Sequence, residues 1–170
     1  MVELLTTLLA AHLVGDFVLQ TDWVIRRKKN PIVLVLHVVL ITALSVIFSG
    51  VVLWPVVVAL FASHLLIDAI KTYALKDTLR AFLIDQSAHA AVIVALALIY
   101  DSAFAAGFWP PLLGAHTSTA LAGLALLAGL VACVLVGGHL IRLATAPIAA
   151  DIGPGSFDGL ENGGLHIGWL

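Results

Sequence analysis

Between Ile32 and Phe48 the chain carries no Asp, Glu, Lys or Arg, and its only ionisable side chain is His37. An uninterrupted apolar run of that length matches the hydrocarbon thickness of a bilayer when wound as a helix. Comparable runs cover Glu3 to Leu19, Val51 to Tyr73, Ala81 to Tyr100 and Thr119 to Ala144. The whole chain is 62% hydrophobic and 11% charged, with mean hydropathy +1.13. Soluble domains are about a quarter charged, so a soluble protein with a greasy core is excluded. The expected fold class is all-α, a polytopic transmembrane helical bundle of about five spans.

Punctuation divides these runs. Gln20-Thr-Asp-Trp and Arg26-Arg27-Lys28-Lys29 close the first helix. Pro31 suits the opening turn of the second, where its missing N–H costs nothing. Ser49-Gly50 is a short connection, Trp54-Pro55 an interfacial start, and Lys76 to Arg80 a polar loop. A looser segment, 101–118, precedes the fifth helix. The bundle is assigned to 1–144, with its polar site on helices one to four, and a Gly-rich cytoplasmic tail to 145–170. The start, Met1-Val-Glu, has no basic n-region, so the first run is read as a retained helix rather than a cleaved signal. All eight basic residues (Arg26, Arg27, Lys28, Lys29, Lys71, Lys76, Arg80 and Arg142) fall toward one side of such a bundle. By the positive-inside rule the expected orientation is N-out and C-in, multi-pass in a bacterial inner membrane.

Polar residues then stand out. His12-Leu-Val-Gly-Asp16 and His64-Leu-Leu-Ile-Asp68 repeat one spacing, and Asp85-Gln-Ser-Ala-His89 mirrors it. Four residues apart on a helix means one face, one turn apart. At about 1.5 Å per residue, His37, His64, Asp68, Asp85, His89, Asp16 and His12 all lie roughly 5–20 Å inside the cytoplasmic boundary. Costly groups at matching depths on four helices point to one shared site. Histidine and carboxylate from facing helices are a common way to hold metal. The candidate ligands are His12, Asp16, His37, His64, Asp68, Asp85 and His89. Seven exceed the four of a structural zinc and suit one or two divalent ions, with zinc, manganese and iron all compatible. Cations would also offset repulsion among three carboxylates in low dielectric. A buried polar network, with Lys71 neutralising Asp68, and an ion or proton pathway are the alternatives for the same residues.

Neighbouring residues are assigned smaller parts. Gln20 is expected to hydrogen-bond between helices and Gln86 to orient ligands. Asp22 is expected to cap the segment after it, and the Arg26–Lys29 run chiefly to mark topology and contact lipid headgroups, with gripping an anionic substrate as the lesser reading. His116 and His166 are read as loop and tail residues, and His139 as a residue near the site's edge. Cys133, the only cysteine, excludes an intrachain disulfide and is expected to pack in its apolar run. Gly123, Gly129, Gly137 and Gly138 are expected to permit close helix packing.

The motifs His12-Leu-Val-Gly-Asp16-Phe-Val-Leu-Gln20-Thr-Asp22, Lys28-Lys29, a lone His37, His64-Leu-Leu-Ile-Asp68-Ala-Ile-Lys71 and Asp85-Gln86-Ser-Ala-His89 occur in order over about residues 8–90. Together they resemble the bacterial membrane family labelled domain of unknown function 3307. The C-terminal Gly-Leu-Glu-Asn-Gly-Gly-Leu-His-Ile-Gly-Trp-Leu is similar to that family's later segment, where the chain continues into further helices. The resemblance thus implies a fragment or a short form. The paired His-x-x-x-Asp motifs are also similar in style to inner-membrane metal-dependent hydrolases of the YdjM type, a name that itself rests on motif analogy and adds modestly to the case for hydrolysis.

The expected function is therefore a metal-dependent membrane hydrolase of a lipid-linked or phosphorylated substrate, reached from the cytoplasmic leaflet. Asp16 or Asp85 would take the proton, and Lys71 would stabilise an anionic substrate. A cation or proton-coupled transporter using the same residues is the alternative, and a partner subunit with a structural polar core the third reading. The lipid bilayer is the expected partner, no nucleic acid is expected, and association with further copies is left open.

Overall fold

In the computed structural model the described residues are 1–152, and they are helical throughout, joined by turns and short extended links. The first helix, α1 (Val2–Leu13), runs into a π turn at Val14–Val18, closed by Leu19 N–H donating to Val14 O at 3.0 Å. A short helix, α2 (Asp22–Arg27), leads to α3 (Pro31–Ser49). Asn30 caps α3, its side-chain oxygen accepting from Ile32 N–H at 2.9 Å, and Pro31 opens the first turn. Gly50 ends α3 in the left-handed region, φ 70°, which a residue with a Cβ adopts only at a cost.

The third long helix begins later than the apolar run suggests. Val51 to Leu53 are not helical, and α4 spans Trp54–Ala74, with Leu53 extended at its N-cap and Pro55 in the first turn. The left-handed exit at Gly50 throws the chain out of helical register, and Pro55 re-sets it. Then come α5 (Leu79–Ile99), capped by Thr78, and α6 (Trp109–Leu113). The last helical stretch is α7 (Thr117–Val131), a second π turn (Ala132–Val136) and α8 (Gly137–Ile152). It passes the expected end at Ala144, so 145–152 is helical rather than tail; the remainder of the assigned tail, with His166, lies outside the described residues.

Four helices are long and apolar enough to cross a membrane: Pro31–Ser49, Trp54–Ala74, Leu79–Ile99 and the continuous stretch Trp109–Ile148. Their outward side chains are large and apolar, among them Ile32, Leu66, Ile99 and Leu126, each more than half exposed. Inside, α1 lies against α3, α5 and α7. Leu4 and Leu8 pack with Ile93, Leu96 and Phe104 at one end, and Ala10 and Leu13 with Ala128 and Val131 on the other flank.

Contacts define two ends. At one, the Met1 ammonium donates to Asp101 O at 2.8 Å and Phe108 N–H to Gly50 O at 3.1 Å. At the other, Tyr73 Oη donates to Lys29 O at 3.1 Å and Arg142 lies 3.8 Å from Asp77. Two packing expectations fail on the fourth stretch. A Cβ on Gly123, Gly129 or Gly138 would meet nothing within 4 Å, and Cys133 is exposed. Those glycines face outward, so no helix approaches them among the described residues.

Candidate metal centre

Helix α1 reaches this centre through its π turn. A π turn adds a residue to the helical circuit and is frequent at functional sites. It carries Gly15, buried against Ile41 and Leu44 of α3, and Asp16 beside it. The Asp16 side chain is only 7% exposed, yet it faces three histidines. His37 Nε2 of α3 lies 3.2 Å from Asp16 Oδ1, His64 Nε2 of α4 3.6 Å from the same oxygen, and His12 Nδ1 3.8 Å from Oδ2. Asp68 of α4 closes the ring, with Oδ2 3.5 Å from His37 Nε2 and 3.6 Å from His64 Nε2.

Those separations carry chemical information. Ligand atoms held 2.0–2.1 Å from a tetrahedral cation stand roughly 3.3 Å from one another. Four contacts among Asp16, His37, His64 and Asp68 run from 3.2 to 3.6 Å. Nor are they hydrogen bonds that would explain themselves: Asp16 Oδ1, His64 Nε2, Asp68 Oδ2 and His89 Nε2 are buried and without a hydrogen-bond partner. Buried polar atoms are rarely left so. Asp68 Oδ2 does lie 2.7 Å from Lys28 Nζ, an ion-pair contact whose angles do not make it a hydrogen bond.

Hydrogen bonding around the ring fixes which nitrogens are free. His89 Nδ1 lies 3.0 Å from the Asp85 backbone carbonyl, which can only accept, so Nδ1 carries the proton and Nε2 the lone pair. Gln86 donates through Nε2 to Asp85 Oδ2 at 2.9 Å, which turns its Oε1 toward His12 Nε2 at 3.3 Å. His12 therefore donates from Nε2 and presents an Nδ1 lone pair to the Asp16 carboxylate. Two acceptors facing each other repel unless a cation lies between them. These groups could hold a metal ion, and the hydrogen bonds behind His12 and His89 are of the kind that orient histidine ligands.

Three overlapping groups bring their ligand atoms within 4.8 Å of one another: His12, Asp16 and His89; Asp16, His37 and His64; and His64, Asp68 and His89. Asp16, His64 and His89 each belong to two groups. The histidine rings pack accordingly, with centroids 4.3 Å apart for His64 and His89 and 4.8 Å for His12 and His89. Six of the seven residues singled out from sequence thus share one buried cluster.

Asp85 stands at its edge. Its Oδ2 is held by Lys71 Nζ and Gln86 Nε2, both at 2.9 Å, and its Oδ1 lies 3.7 Å from His89 Nδ1 without a hydrogen bond. Lys71, one turn beyond Asp68 on α4, pairs with Asp85 of α5. Gln20 links the first and third helices as expected, lying 3.3 Å from His37 Nε2. With its amide oriented so that unlike groups meet, its oxygen accepts from His37 Nε2 at 3.3 Å and from Lys28 Nζ at 2.6 Å, so Nε2 carries the His37 proton in that arrangement. Asp22 is the first residue of α2 rather than its cap, 3.8 Å from Arg26. His139 packs on Phe82 with centroids 4.7 Å apart and joins no ligand group, and His116 is exposed in a 3-10 turn.

Lys28 is the member of the basic run that sequence reading did not single out from its neighbours. Within Arg26–Lys29 it alone turns inward, its side chain 13% exposed, while its neighbours stay at the surface. A run of four cations hides which member is turned, and only the path of the chain between α2 and α3 decides it.

No curated protein and no solved structure matches the chain. A family model described as "Protein of unknown function (DUF3307)" matches residues 4–108, which include every residue of this cluster and more than half of the sequence, and the chain belongs to that family.

Proposed function

We propose that this chain is an integral membrane metalloprotein of five spans, N-out and C-in, in a bacterial inner membrane. Its His/Asp site lies in the cytoplasmic half of the bilayer and hydrolyses a lipid-linked or phosphorylated substrate. One observation carries the reading: Asp16, His64, Asp68 and His89 bring buried polar atoms that no hydrogen bond uses within metal-ligand reach of one another. The apolar exterior supports a lipid environment, since exposed leucine and isoleucine cost nothing there. The fifth span is the first in the chain, α1 with its π turn, and the basic end of the bundle is taken as cytoplasmic.

A divalent ion held by these residues supplies Lewis acidity to a phosphoryl or carbonyl oxygen and to water. The chain's own groups do the rest. Asp85 Oδ1 is buried and unpartnered, so it is the oxygen left to accept a proton while Lys71 and Gln86 hold Oδ2. Lys71, about a third exposed, faces an incoming anion. A second reading, a cation or proton-coupled transporter, draws on a small, largely apolar cavity beside the cluster, where Thr42, Ser45 and Ser63 join His12, His64 and His89 among lining residues such as Leu8 and Ile93.

Metal analysis of purified protein tests the core of the proposal. Near-stoichiometric divalent metal, lost in His64→Ala and His12→Ala, is expected. Metal-free protein of full stability would sink it. Vesicles showing metal- or pH-driven uptake would replace hydrolysis by transport.

A further inference from the structure

Two different cations have a claim on one oxygen. Asp68 Oδ2 lies 3.5 and 3.6 Å from the Nε2 atoms of His37 and His64, and 2.7 Å from Lys28 Nζ. A metal ion held between Asp68 and His64 would share that oxygen with an ammonium a few ångströms away. Like charges that close repel by more than a decade in affinity, even with the screening typical of a protein interior. Lys28 also has somewhere to go. Its stem is flexible, and it leaves from the turn between α2 and α3 at the basic end of the bundle.

The turn itself is anchored. Tyr73 Oη of α4 donates to Lys29 O, Asn30 N–H to Arg27 O at 2.8 Å, and Asn30 caps α3. The ammonium can therefore swing while its backbone stays fixed beside the site. Gln20 offers a second acceptor, its oxygen 2.6 Å from Nζ in the amide orientation that pairs unlike groups.

Resting on the metal centre proposed above, we infer that Lys28 is an exchangeable cation: it neutralises Asp68 until metal binds, is then displaced, and grips an anionic oxygen of the substrate beside the metal. The ligand class is a phosphate-bearing one, because a compact ammonium serves as a point charge for phosphate. Metal uptake and anion binding are thereby linked through a single side chain. Phosphate binds well only after metal has released the lysine, and bound phosphate in turn strengthens metal retention.

The test uses the full chain in detergent, titrated with Zn²⁺ alone and then with Zn²⁺ plus inorganic phosphate. Lys28→Gln is expected to bind Zn²⁺ at least about tenfold more tightly than wild type, since the competing ammonium is gone. It should also lose the phosphate-induced tightening that wild type shows. Lys28→Arg should keep the phosphate response, and Lys29→Gln, altered at the exposed neighbour, should behave as wild type on both counts. Zinc affinity unchanged or weakened in Lys28→Gln, or a phosphate response that survives it, overturns the role of Lys28 while leaving the metal centre standing. A wild type that takes up no zinc fails earlier and overturns the centre together with this exchange. A Lys28→Gln protein that is folded by circular dichroism keeps these outcomes separable from misfolding.

Discussion

Replacing Gly15 by alanine tests how the π turn places Asp16. A Cβ at position 15 would collide with Ile41 Cδ1, and would stand 3.3 Å from Ile41 Cγ1 and 3.5 Å from Leu44 Cδ1. Ile41 is 4% exposed and borders the small cavity beside Thr42 and Ser45, so its terminal methyl must shift within the interior to make room. Forcing an extra carbon into a packed site costs about 1–3 kcal/mol. Alanine recovers up to about 1 kcal/mol of helix propensity over glycine. With the full propensity gain the net expectation is a loss of about 0–2 kcal/mol, together with a displaced Asp16 and weaker metal binding. Ile41→Val removes the colliding methyl at a cost of its own, about 0.5–1.5 kcal/mol. In the double variant that methyl is no longer there to collide, so the two losses should not add: the coupling energy should be at least about 0.5 kcal/mol in the favourable direction. Unfolding in mixed detergent, followed by circular dichroism for all four proteins of the cycle, measures it, and zinc titration of the same samples follows Asp16. Additive losses, or full metal affinity in Gly15→Ala, would refute the close packing of this turn as the device that places the carboxylate.

The remaining predictions concern the second layer and the opposite end. Asp85→Asn should still fill with zinc but need about 10–100-fold more free metal, because Asp85 acts on His12 only through Gln86. Asp16→Asn should bind fewer zinc ions, or bind at least about tenfold more weakly, in the same titration, since Asp16 belongs to two of the three ligand groups and only His64, Asp68 and His89 remain complete. Gly50→Ala should lower stability by at least about 2 kcal/mol in the same unfolding assay. It combines left-handed backbone strain with a Cβ that would meet Trp109 Cδ1 at 2.7 Å and its backbone nitrogen at 3.2 Å.

The amino-acid sequence by itself determined the all-α class, the apolar exterior and the membership of the cluster. Helical period is enough for that: His12 and Asp16, or His64 and Asp68, share a face whatever the neighbours do. Counting residues from the basic boundaries placed the four helices' polar groups at common depths, and six of them do meet in one cluster. Period and depth leave the rotation of one helix against another open, and they leave open where a long flexible stem ends. Tertiary packing therefore decided the pairings. Lys71 serves Asp85 of α5 rather than Asp68 one turn away on its own helix, and Asp68 takes Lys28 from a different segment. Asp85, equal to the other carboxylates in the one-dimensional pattern, is held at the edge by Lys71 and Gln86. That the helix takes a π turn at Val14–Val18, with Gly15 lying against Ile41, does not follow from period and depth. A sequence fixes what one helix can present; only the packed bundle fixes which atoms face each other across it, because azimuth and lysine reach are properties of neighbours.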